Sequence, residues 1–146
     1  MYSFQGGSLS PEIRTFVVYP VENQATIVNP SLAPDLEEAL REYLLRETNL
    51  TESLTNPDLS YRVTITDYVV RPLTVGTDQA QTNRLTISAR VQFHNAIESQ
   101  YDIDRTFTAY ADIEASQALS DVEDQLVGEL IRRLVEDIYN ATINAW

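Results

Sequence analysis

Arg84-Leu85-Thr86-Ile87-Ser88-Ala89-Arg90-Val91-Gln92-Phe93-His94 alternates polar and apolar residues without a break. Extended backbone sends successive side chains to opposite sides, so this segment is a strand with one dry and one wet face. The wet face holds Arg, Thr and Ser where an ordinary solvated strand holds Lys and Glu. That pattern belongs to a docking surface rather than to a catalyst.

Neighbouring segments repeat the alternation. Leu59, Tyr61, Val63 and Ile65 alternate with Ser60, Arg62, Thr64 and Thr66, and the phase breaks at Asp67 before Tyr68 and Val70, which predicts a bulge. Tyr101, Ile103, Phe107 and Ala109 mark a later strand, facing Asp102, Asp104, Thr106 and Thr108. Arg105 has the inward parity there, which an edge position or a second bulge excuses. The polar stretch from Thr74 to Asn83, with Gly76 inside it, predicts a long hairpin loop. Upstream, Ile13 to Tyr19 is apolar on both parities, as a central or doubly covered strand requires. Asn56-Pro57-Asp58 turns the chain back between helix and strand.

Two segments carry the helical period instead. Between Ser31 and Thr48, Leu32, Leu36, Leu40, Tyr43 and Leu44 form a stripe, and Glu37/Arg41 and Glu42/Arg46 stand four apart outside it. Pro34 is tolerated only in a first turn, so this helix starts near Ser31. Ser120-Asp121-Val122-Glu123 reads as a capping box opening the last helix. The stripe that follows it, from Val122 through Leu126, Leu130 and Leu134 to Ile138, is wide enough to meet both the sheet and the first helix. Three strands with a single dry face place both helices on one side. The expected fold is α+β, a two-layer sandwich in the order β-α-β-β-β-α, with two helices packed on one face of a four-stranded mixed sheet. The first strand is expected parallel to a later one through the helical crossover, and the later three as an antiparallel meander. Strand order stays open.

Composition removes several functional classes. A chain of 146 residues fits one domain and buries roughly 70% of its unfolded surface without staples. No apolar run approaches the roughly 18 residues of a spanning helix, and with no cysteine there is neither a disulfide nor a thiolate site. The net charge is −12, and every basic residue is Arg. Such a field repels phosphate backbones, so nucleic acid is not an expected partner. An acidic, Lys-free surface fits a high-salt habitat, and a compositional bias fits it equally.

Catalytic constellations are absent from the pattern. His94 is the sole histidine and stands at a strand end on the polar side, where a hydrogen-bonded structural role is expected. Asp102 and Asp104 share a strand face as a candidate carboxylate pair, and edge protection explains them. Asp121, Glu123 and Asp124 sit where a helix dipole favours negative charge. There is no Gly-rich phosphate loop, nucleophile elbow or metal-spaced pair. No catalytic residue, cofactor or metal ligand is assigned, and the protein is expected not to be an enzyme.

Several short motifs resemble a known family in their order and spacing. They are Tyr2-Ser3-Phe4 with Gly6, Asn29-Pro30-Ser31-Leu32, Asn83-Arg84-Leu85-Thr86-Ile87, Tyr110-Ala111-Asp112, Ser120-Asp121-Val122-Glu123-Asp124 and Asn144-Ala145-Trp146. Together they resemble the lipopolysaccharide-assembly lipoproteins (LptE) in their Bacteroidetes-type version, over essentially the whole chain. The resemblance implies a lipid-anchored protein on the periplasmic side of the outer membrane that plugs a large partner β-barrel (LptD), supports its folding and assists lipopolysaccharide delivery to the cell surface. It also implies an acylated cysteine just ahead of Tyr2, where Met1 now stands. Residues 1–10 are then a flexible aromatic leader beside the lipidation site, and residues 11–146 one LptE-like domain. An uncovered Thr/Arg face suits a wet barrel lumen. Guanidinium groups match phosphate and carboxylate geometry, so Arg62, Arg84 and Arg90 are the expected contacts to the barrel or to lipopolysaccharide. The net charge of −12 opposes an anionic glycolipid, which ranks the barrel ahead of the lipid. The competing expectation is a free periplasmic or secreted chaperone-like module that uses the polar face or the sheet edge for a peptide.

Overall fold

The computed structural model describes residues 9–27, 29–74, 81–114 and 116–144. Their elements run β1 (Thr15–Val18), β2 (Glu22–Asn23), α1 (Leu32–Glu47), β3 (Thr51–Glu52), β4 (Leu59–Thr74), β5 (Gln81–Asn95), a 3-10 turn (Ser99–Tyr101), β6 (Ile103–Glu114) and α2 (Leu119–Thr142). Residues 1–8 of the expected leader, residues 1–10, and the terminal aromatic Trp146 lie outside the described residues.

Both helices pack on one side of a single mixed sheet, as the one-sided alternation requires. The sheet order is β3-β1-β4-β5-β6, with β2 beside β4 in line with β1. This makes six strands among the described residues rather than four. The two additional ones, β2 and β3, are two residues each, too short to leave an alternation in sequence. β1 runs parallel to β4, with α1 in the connection, and β4, β5 and β6 form the antiparallel meander. The register of β4 on β5 shifts between Ile65 and Asp67, so the bulge lies where the phase break predicts it. The extra residue returns Tyr68 and Val70 to the side of Ile65 and Val63. The turn at Asn56, where φ is 47°, is locked by Asp58. Its Oδ2 accepts the amides of Arg14 and Thr15 at 2.7 and 3.1 Å, and its own amide donates to Thr15 Oγ1 at 3.0 Å.

The core is one cluster shared by both layers. Leu32, Leu36, Leu40 and Leu44 of α1 are fully buried, as are Leu130, Leu134 and Ile138 of α2, against Leu85, Ile87, Ala89 and Val91 of β5. Inside it, Thr142 Oγ1 donates to the Ile138 carbonyl at 2.7 Å, which leaves the Tyr61 phenol to donate to Thr142 Oγ1 at 2.8 Å. Burial pushes the Tyr61 phenol far above its ordinary pKa, with the bond to Thr142 pulling the other way. The phenol therefore stays protonated and the bond intact.

Three local expectations need correction. The hairpin loop is shorter than Thr74–Asn83, because β4 continues to Thr74 and β5 resumes at Gln81, and only residues 75–80 lie outside the described set. Polar composition there reflects strands with weakly covered faces rather than a loop. Ser120 is not the cap of α2: the helix starts at Leu119 after Ala118, with no side-chain cap. Glu123 does not return to the helix start because its carboxylate accepts the phenol of Tyr68, whose ring is buried under the helices. Burial, then this bond, pushes the Tyr68 phenol up to about 12. On α1, Arg41 meets Glu37 at 2.9 Å as expected and also reaches Glu52 of β3 at 2.8 Å, tying helix to sheet edge. Arg46 lies over the Tyr43 ring at 5.1 Å and turns to Glu47 rather than Glu42.

These contacts set three magnitudes for urea unfolding. Leu134→Ala removes a fully buried side chain at the meeting of the two layers and is expected to cost about 2–5 kcal/mol. Tyr61→Phe leaves Thr142 bonded to Ile138 and is expected to cost about 1 kcal/mol. Gly128→Ala, where an added Cβ meets nothing within 4 Å, is expected to stabilise by about 0.5–1 kcal/mol. Equal costs for the first two would contradict this account of the core.

Candidate docking face

The second side of the sheet is built by the residues of opposite parity on β4, β5 and β6. Strand pairing sets them in rows across the sheet: Asp104–Gln92–Arg62, Thr106–Arg90–Thr64, Thr108–Ser88–Asp67, Tyr110–Thr86–Val69 and Asp112–Arg84–Arg71. Among the described residues no helix lies over these rows, and Arg62, Arg90, Gln92, His94 and Tyr110 are exposed. Ser88 is the exception, crowded by Thr108, whose Oγ1 lies 2.8 Å from its Oγ, and by Thr66.

All three arginines expected as contacts, Arg62, Arg84 and Arg90, stand on this face. They are not equally available. Arg84 forks onto Asp112, Nε to Oδ1 at 2.8 Å and Nη2 to Oδ2 at 3.2 Å, and its guanidinium lies over the Tyr110 ring at 3.9 Å. Arg90 forks onto Asp104 at 2.8 and 2.6 Å. Arg62 lies over the Tyr19 ring at 4.1 Å and meets no carboxylate among the described residues. The bidentate bonds hold both aspartates below the ordinary carboxylate range: Arg90 acts on Asp104 and Arg84 on Asp112. Asp102 and Asp104 do not act as a carboxylate pair. Asp102 instead accepts the Asn95 amide at 2.6 Å and holds His94 Nδ1 at 2.7 Å, which gives the lone histidine a hydrogen-bonded role. Arg105 lies on the edge strand β6, exposed, with its guanidinium over Phe107 at 4.8 Å.

Arg71 and Tyr110 join this face without having been expected there. Arg71 continues the alternation beyond the bulge, and only the register of β4 on β5 reveals that it stands opposite Arg84. The face as a whole carries a mixture of signs. The helix layer does not: α1 sets Asp35, Glu37, Glu38, Glu42 and Glu47 against Arg41 and Arg46, and α2 is similarly acidic. Charge thus distinguishes the two sides, and the sheet side is the one on which an anionic macromolecule meets least repulsion. Among the described residues no group of three or more metal-ligating side chains occurs, and no helix is long and apolar enough to cross a membrane.

Residues 13–142 match the lipopolysaccharide-assembly (LptE) family. The chain belongs to the LptE family. No curated protein matches it by sequence. Solved structures share the fold at low identity. A minor lipoprotein from Acinetobacter baumannii is 18% identical, with TM-score 0.59, over 92% of this chain and 96% of that one. A hypothetical protein from Chlamydia trachomatis has TM-score 0.59 at 12% identity, over 91% of this chain and 99% of that one. The rare lipoprotein B from Shewanella oneidensis has TM-score 0.51 at 10% identity, over 88% and 92% of the two chains. Family membership makes this chain a component of lipopolysaccharide assembly.

The aspartate shifts have a signed consequence. A carboxyl held below its ordinary value of 3.8 keeps its pairing fully above that pH and loses it as pH falls through the lower folded value. In a carboxyl-carbon NMR titration, Asp104 and Asp112 should therefore titrate below 3.8. Arg90→Gln should raise the Asp104 midpoint and leave that of Asp112 unmoved; a joint shift would mean that the two forks are not independent.

Proposed function

We propose that the protein is a non-catalytic, lipid-anchored component of the outer membrane, on its periplasmic side, that plugs and supports the folding of an LptD-type β-barrel through the open sheet face, and so assists lipopolysaccharide delivery to the cell surface. Residues 11–146 act as the one domain, and no cofactor takes part. The observation that carries the reading is the open face itself: an Arg-, Thr- and Asp-patterned surface on a family member whose helix layer is acidic and whose apolar residues are turned to the other side. A polar surface of this kind is compatible with a wet barrel interior. Arg62, Arg84 and Arg90 are the proposed contacts. Because Arg84 and Arg90 already hold carboxylates, they fit a barrel wall that extends these ion pairs better than an anionic glycolipid that competes with them.

The chaperone-like alternative would recruit a peptide at the free edge of β6. Two features oppose strand addition there. Arg133 Nη1 already donates to the Tyr110 carbonyl at 2.9 Å, and exposed charges punctuate the strand.

Affinity purification of the full-length, membrane-anchored protein in detergent tests the reading: one large β-barrel should accompany it. Arg84→Glu combined with Arg90→Glu should lower both barrel recovery and surface lipopolysaccharide roughly tenfold. Normal recovery and export in the double variant would remove the face from the mechanism.

A further inference from the structure

Arg71 and Arg84 are directly opposed across β4 and β5 on the open side of the sheet. Like charges in that position repel, and nothing in the fold requires them. Arg84 is compensated by its fork onto Asp112 and by the Tyr110 ring beneath it. Arg71 is exposed and makes no hydrogen bond or ion pair with any described residue. Among the described residues, an arginine opposed to another arginine and left without a partner is a position available to something outside the chain.

The surroundings name the class of partner. The next row is Val69, Thr86 and Tyr110, so a half-buried apolar strip with a 48% exposed tyrosine adjoins the arginine pair. Arg and Tyr beside apolar residues is the composition of a protein-interface centre. A phosphate group would need several converging free donors, and here the fork of Arg84 is already filled, leaving one guanidinium for one carboxylate. The flanking edge of β4 has no described strand partner beyond Ile65 and is interrupted by Pro72, which has no amide to offer, so it suits strand addition poorly. Contact is left to the face.

We propose that this corner, Arg71 with Arg84, Val69 and Tyr110, is the centre of the docking surface, and that it takes a protein wall presenting a carboxylate to Arg71. The inference rests on the barrel-docking reading above and adds where on the face, and through which group, the partner is held. It also makes Arg71 the specificity-determining residue of the face.

The test uses the full-length anchored protein in its own membrane, with a photo-crosslinking amino acid at position 71, 110 or, on the exposed side of α2, 125. Crosslinks to the barrel from 71 and 110 are expected. Arg71→Glu should lower barrel recovery roughly tenfold while its thermal unfolding stays that of the unsubstituted protein, and Arg71→Lys should restore part of the loss. If the unsubstituted protein brings down the barrel but positions 71 and 110 do not crosslink to it, or Arg71→Glu binds normally, the corner is wrong and the docking reading stands. Crosslinks from 71 into lipopolysaccharide instead of protein overturn the carboxylate partner. Absence of any barrel with the unsubstituted protein overturns the docking reading and this inference with it.

Discussion

Everything in this molecule depends on one side of the sheet being dry. Leu85, Ile87, Ala89, Val91 and Phe93 lie under the helices, and the chain between them is committed to the other side. A slip of one residue in register would exchange the two sets completely, exposing five apolar side chains and burying arginines. The helices hold the register from one side through a continuous core. The bulge after Ile65 holds it from within the sheet, since without it Tyr68 would point away from Glu123 and Asn29. The candidate docking face is thus a by-product of burial: its composition is unconstrained by the core, which asks nothing of it.

That freedom is used in a particular way. On a chain with a net charge of −12, four of the ten arginines stand on the open face, and two of them are matched by aspartates of the neighbouring strand. Exposed pairs of this kind contribute little to stability. In the proposed docking role their effect is on recognition, because a guanidinium held flat by a bidentate carboxylate and an aromatic ring is a fixed feature rather than a flexible charge. A partner must match its position as well as its sign. The acidic helix layer disfavours approach of an anionic partner from the other side.

Much of the fold was legible in the sequence because it rests on periodicity. Alternation located β4, β5 and β6, the break at Asp67 located the bulge, and the leucine stripe with Pro34 located the start of α1. What failed was local chemistry that a tertiary contact redirected. Glu123 has the spacing of a capping residue, yet the buried phenol of Tyr68 needs an acceptor and takes it. Glu42 has the spacing to pair with Arg46, yet Arg46 lies on Tyr43. The docking face was half legible: parity placed Arg62, Arg84 and Arg90 on the wet side. Their partners are set by register across strands, with Asp112 twenty-eight residues from Arg84 and Asp104 fourteen from Arg90. Arg71 was hidden for the same reason, behind a phase change and next to a stretch whose polarity reads as loop.

The two layers carry a matched pair of reporters, Tyr110 on the open face, 48% exposed, and Leu45 on α1, 44% exposed. Hydroxyl-radical oxidation of the full-length protein, free and in the proposed complex solubilised in detergent, tests which layer meets the partner. The account predicts that oxidation of Tyr110 drops on complex formation while that of Leu45 holds its free value. Protection of Leu45 with Tyr110 still open would contradict it, and would assign the partner to the helices.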